Sequence, residues 1–149
     1  MPTSSIYAIG DLVANSTTAG SVVPMSFPLG NAFGQGQFRL TRVRLAKTST
    51  GTTGATFRVH LYSASPTSAV GDNGVFSTTT SGWLGSIDVP TMTAFSDGCA
   101  AVGAATAGSE FLIRLAAGST VYALLAALGT YTPTATETFT LTLEEMQGY

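Results

Sequence analysis

Ala55-Thr56-Phe57-Arg58-Val59-His60-Leu61-Tyr62 decides the fold. Its apolar side chains recur every second residue, with Thr56, Arg58, His60 and Tyr62 between them. That period sends the two sets to opposite faces of an extended chain, whereas a helix would scatter both sets around its axis. The stretch is predicted to be a half-buried β-strand. Pro66 prevents the ladder from continuing, and Gly71-Asp72-Asn73-Gly74 supplies a turn, because Gly and Asn tolerate positive φ.

Outward from this strand the same alternation recurs. On the N-terminal side, Gln37 to Lys47 is extended: Phe38 and Leu40 share one parity, Val43 and Leu45 the other. Such a switch predicts a β-bulge near Thr41. With its neighbour, residues 37–63 are predicted to form a hairpin. Further back, Pro24 demotes the apolar stretch 21–27 to an edge or bulged strand, residues 30–36 read as a glycine-rich loop, and residues 6–9 as a short strand before a Gly10-Asp11 turn. On the C-terminal side, Trp83 to Val89 is a strand closed by Pro90, and residues 91–109, weakly patterned and rich in Ala and Gly, predict a loop or one helical turn. Phe111, Ile113 and Leu115 alternate, residues 116–119 form a turn, and Val121 to Leu128 is apolar throughout, as expected of a strand buried on both faces. Phe139, Leu141 and Leu143 alternate with threonines in a closing strand. About eight strands without a long amphipathic helix predict one all-β domain over residues 1–149, an antiparallel two-sheet β-sandwich, jelly-roll-like.

Composition narrows the function. Charged residues are 9% of this 149-residue chain, against roughly 25% in an ordinary domain. A polar but uncharged surface costs little to desolvate when a partner covers it. The net charge of −2 provides no global field for nucleic acid or an anionic membrane. The one cysteine, Cys99, excludes an internal disulfide framework and a multi-cysteine metal site. No basic-then-apolar leader opens the sequence, and its longest apolar run is too short to span a bilayer.

No catalytic constellation emerges. His60 is the sole histidine and lacks an evident orienting partner or a Gly-x-Ser-x-Gly elbow, so a structural role on the strand's polar face is the simpler reading. Asp72-Asn73 resembles a fragment of a calcium loop without its spaced acidic ligands, and a capped turn is again simpler. Arg39, Arg42, Arg44 and Lys47 gather four of the six positive charges. They form either a basic patch contacting an acidic partner or a solvated strand face. No aromatic platform interleaves them, which argues against nucleic acid.

Three segments carry a family resemblance: Tyr7-Ala8-Ile9-Gly10-Asp11-Leu12; Val59 to Thr67 followed by Asp72-Asn73-Gly74-Val75-Phe76; and Leu115 to Leu125 with Tyr131-Thr132-Pro133 and the closing strand. Together they resemble the capsid decoration, or cement, proteins from the head-gene region of tailed bacteriophages. The resemblance implies a β-sandwich made in the host bacterial cytoplasm that binds the major capsid protein on the outside of an assembled shell and reinforces it. It implies no catalysis and no cofactor. The sequence leaves monomer, dimer and trimer open. A rival reading is a receptor- or carbohydrate-binding module of a phage fibre or tail, which would display several exposed aromatics; Trp83 is the sole tryptophan.

Overall fold

The computed structural model describes residues 5–28, 37–105, 111–114 and 119–147. Two antiparallel five-stranded sheets face each other. The first contains β1 (Leu12–Val13), β2 (Met25–Pro28), β4 (Phe57–Tyr62), β5 (Trp83–Val89) and β9 (Thr120–Ala127). Its order is β1-β9-β4-β5, with β2 also on β9. The second contains β3 (Gln37–Lys47), β6 (Thr93–Phe95), β7 (Gly98–Ala104), β8 (Phe111–Arg114) and β10 (Phe139–Gln147). Its order is β10-β3-β7-β6, with β8 also on β3. The protein is a β-sandwich.

The alternation in β4 builds the core. Phe57 stands between Val89 and Ala127, Val59 between Ile87 and Leu125, and Leu61 between Gly85 and Ala123. These rows present one continuous apolar face, and Phe57, Val59 and Leu61 are fully buried. Leu40, Val43, Leu45 and Leu141 meet them from the opposite sheet, with Phe139 and Leu143 packed at the margin. Burying each such side chain is worth about 1.5–3 kcal/mol, which is what holds the two sheets together.

The parity switch in β3 is a bulge. Along β10 the register passes from Glu144 opposite Arg42 to Glu145 opposite Leu40, so Thr41 has no partner on β10. Its hydroxyl instead donates to the Glu144 carbonyl at 3.2 Å. The extra residue lets Leu40, Val43 and Leu45 all point inward, leaving Arg39, Arg42 and Arg44 outside.

Two sequence expectations are corrected. Residues 37–63 are not a hairpin, because β3 and β4 lie in different sheets and face each other across the core. Alternation marks which face of a strand is buried, not which neighbour pairs with its edge, and the connection 48–56 is longer than hairpin loops usually are. Residues 93–104 are not a loop but the β6–β7 hairpin. Their small side chains suit a close approach: a Cβ on Gly103 would lie 2.5 Å from the Asp88 carbonyl oxygen of β5. The glycine-rich segment 30–36 and the turn residues 116–118 lie outside the described residues.

The apolar run of β9 is buried twice, as its composition predicts. Val121, Ala123, Leu125 and Ala127 join the core between the sheets. Leu124 joins a second cluster with Leu12, Val22 and Tyr62, against which Val70 and Phe76 also pack. Connections therefore cover the outer side of the β4 sheet. No comparable cluster lies on the outer side of the β3 sheet among the described residues.

Candidate interaction face

The outer side of the β3 sheet, which no apolar cluster covers among the described residues, is the most distinctive surface. The inward set fixes the outward one: Thr140, Thr142 and Glu144 on β10, Arg42 and Arg44 on β3, Val102 and Ala104 on β7. Phe95 extends the row from β6 and is 57% exposed, and Val102 is 45% exposed. Its side chains are mostly small or β-branched, and three of the six positive charges of the chain lie on it. Arg42 is ion-paired with Glu144 across the strands. Arg44 sits between Thr142 and Val102, without an ion-pair or hydrogen-bond partner among the described residues. Arg39 is likewise exposed, without an ion-pair or hydrogen-bond partner among the described residues. Chemically, such a face can accept another protein's surface with two free guanidinium groups available for carboxylates.

Lys47 does not belong to this face. It continues the inward parity of Val43 and Leu45, and its side chain and that of Glu137 have no exposure. Its ammonium donates to the Ser49 hydroxyl at 2.7 Å, the Ser49 carbonyl at 3.0 Å, the Gly51 carbonyl at 2.6 Å and a Glu137 carboxylate oxygen at 3.1 Å. The Ser49 and Tyr131 hydroxyls also donate to Glu137, and the ammonium lies 5.1 Å from the centre of the Tyr131 ring. Burial, reinforced by the bond to Glu137, pushes the Tyr131 hydroxyl far above its ordinary pKa and keeps it a donor. The group is a saturated polar clamp joining the connections after β3 and after β9. Sequence inspection placed Lys47 with the arginines by charge; extending the parity past Leu45 would have turned it inward. Nothing in the sequence singled out Glu137.

The resembling segments converge elsewhere in the interior. The Tyr7 hydroxyl donates to Asp72 at 2.6 Å, and the Ala14 amide donates to the same oxygen at 2.8 Å. The Tyr7 and Tyr131 rings stack with centroids 6.4 Å apart. Asn73 adopts φ of 63° in its turn, and its amide N–H donates to the Leu12 carbonyl at 2.9 Å. Asp72 is thus the anchor of a turn rather than a metal ligand awaiting companions. Among the described residues no group of three or more His, Cys, Asp or Glu could hold a metal ion.

His60 lies on the outer side of the β4 sheet, stacked on Phe76 at 4.2 Å between centroids. Burial, with the Arg58 charge adding to it, pushes its pKa down to about 4, so the ring is neutral near pH 7. Arg58 is held by a two-pronged pair to Asp88, at 2.6 and 2.8 Å. Cys99 is buried, with its thiol 3.8 Å from the Gly51 carbonyl. Compared with family models, curated proteins and solved structures, the chain matches none.

Proposed function

We propose that the protein is a structural component of a phage virion that binds the outside of an assembled capsid and stabilises it. The observation carrying this reading is the outer side of the β3 sheet, which no apolar cluster covers among the described residues: small and β-branched side chains surround Arg39 and Arg44, which have no ion-pair or hydrogen-bond partner among the described residues. Uncharged Thr, Ala and Val positions can be covered without stranding charges, while two free arginines attract an acidic capsid surface. The three segments that resemble decoration proteins support the same assignment.

Size argues for a lattice rather than a single subunit as the partner. A 15.2 kDa sandwich offers modest area to any one neighbour, and a standard stable interface buries about 1,600 Å² in total. Touching several subunits raises overall affinity without new chemistry, and selective binding to the assembled state stabilises that state by mass action. The test is to mix the protein with expanded tailed-phage heads lacking decoration and, separately, with unassembled capsid subunits, then sediment and heat both. Preferential binding to heads and a raised rupture temperature are expected; equal binding, or an unchanged rupture temperature, refutes the reading.

One observation favours the second reading, a carbohydrate- or receptor-binding module. Trp83 is 48% exposed, as a sugar-stacking platform requires. Trp83→Ala that abolishes glycan binding while leaving head binding intact would support it.

A further inference from the structure

The two long sides of the sandwich are closed differently. On one, Gly103 lets β7 approach β5 closely. On the other, β10 borders one sheet and β1 and β2 border the other. Between those borders lies a cavity of about 220 Å³, lined by Val13, Val22, Met25, Leu125, Glu137 and Phe139 among others.

β10 has β3 on one side and no described strand on the other. The Thr48 amide donates to the Thr138 carbonyl at 3.1 Å, which sets the hydrogen-bonding phase. Thr138, Thr140 and Thr142 turn their backbone groups toward β3; Phe139, Leu141 and Leu143 turn theirs away. No hydrogen bond among the described residues reaches those outward groups. Natural edges are usually blunted by proline, lysine or a bulge. From Phe139 to Leu143 there is neither proline nor lysine, and the bulge in this pairing comes later, at Glu144/Glu145.

We infer that this edge pairs, antiparallel, with the same edge of a second copy of the chain, about a two-fold axis at Leu141. The sequence of β10 is self-complementary in that register. Phe139 falls opposite Leu143 of the second copy, and Leu141 opposite its own counterpart, so every apolar residue stays on the core side. Thr140 falls opposite Thr142, a favourable cross-strand combination, and Glu144 opposite Thr138, so between Thr138 and Glu144 no like charges meet. Leu143 of the second copy, beside Phe139, lies over the mouth of the cavity. The two β3 sheets become one continuous sheet with both arginine-bearing faces on the same side. This inference rests on the edge and its register, not on the capsid reading.

Sedimentation velocity of the intact chain over a concentration series tests it, with an association to twice the 15.2 kDa chain mass as the expected result. The Thr140→Lys/Thr142→Lys variant sets lysine against lysine on exposed positions without touching the core. It should weaken association at least about tenfold, since like charges directly opposite destabilise a strand pair, with melting lowered only slightly, because Thr142→Lys also faces Arg44 across β3. For geometry, Thr140→Cys and Thr142→Cys proteins are oxidised alone and mixed. Facing residues that do not share hydrogen bonds have Cα atoms about 4.5 Å apart, within disulfide range, so the mixture should cross-link and neither variant alone should. A monomer throughout the series, an association indifferent to the lysines, or equal cross-linking of single variants overturns the inference. The second of these would assign the contact to another surface.

Discussion

Removing the Lys47 ammonium should be the most damaging single charge deletion in the molecule. In Lys47→Met the aliphatic stem is kept and the charge is lost, leaving the Glu137 carboxylate with no exposure and only the Ser49 and Tyr131 hydroxyls as donors. At the observed 3.1 Å the lost attraction is roughly 5 kcal/mol with an effective dielectric constant of about 20. The desolvation cost of Lys47 itself is recovered in part, so the net loss should be about 3–5 kcal/mol, the usual penalty for orphaning one member of a buried pair. Urea unfolding followed by far-UV circular dichroism measures it, alongside Glu137→Gln and the double variant. The double variant should be far less destabilised than the two single losses combined. A Lys47→Met loss below about 1 kcal/mol, or single losses that add within about 0.5 kcal/mol in the double variant, would refute the clamp.

His60 gives the fold a pH dependence. Its folded pKa of about 4 lies below the unfolded value near 6.5, so its contribution is complete above about pH 6.5 and falls as pH drops toward 4. The loss should be ~1–2 kcal/mol, less than full linkage because the ring is partly solvated; a pH series of unfolding curves on the parent and His60→Phe checks it, and the variant should lack this component. Gly103→Ala should cost about 1–3 kcal/mol by forcing β7 away from the Asp88 carbonyl, read as a drop in melting temperature. Arg39→Ser/Arg44→Ser should weaken attachment to phage heads, and the parent's affinity should fall as salt screens the exposed charges, whereas Arg42→Ser, already satisfied by Glu144, should matter less. Binding indifferent to salt and to both variants would leave these arginines as solvated surface.

The resemblance and the physics converge on different parts of the molecule. Tyr7, Asp72, Asn73 and Tyr131, which belong to the resembling segments, meet in interior packing and turns. The candidate interaction face is assembled from β3, β7 and β10, where the arginines are the one sequence signal. Residues that fix turns stand out in a sequence, while a face of Thr, Ala and Val leaves no chemical signature to recognise.

The sequence alone determined which side of β3, β4 and β10 is buried and that β9 is buried on both. The two-residue period in β4 and β10, the parity switch at Thr41 and the doubly apolar run of β9 are local properties, and each follows from the pleat and the preference of apolar surface for the interior. Lys47, grouped by its charge with the exposed arginines, shares the parity of Val43 and Leu45 and is buried with them. The tertiary structure alone decided which strands pair and what neutralises Lys47. Pairing β3 with β10 and β7 rather than with β4, and bringing Glu137 within 3.1 Å of an ammonium 90 residues earlier, depend on long-range packing. A strand's alternation is identical whether its apolar face meets a neighbour across the core or a covering loop, so only the assembled sandwich distinguishes them.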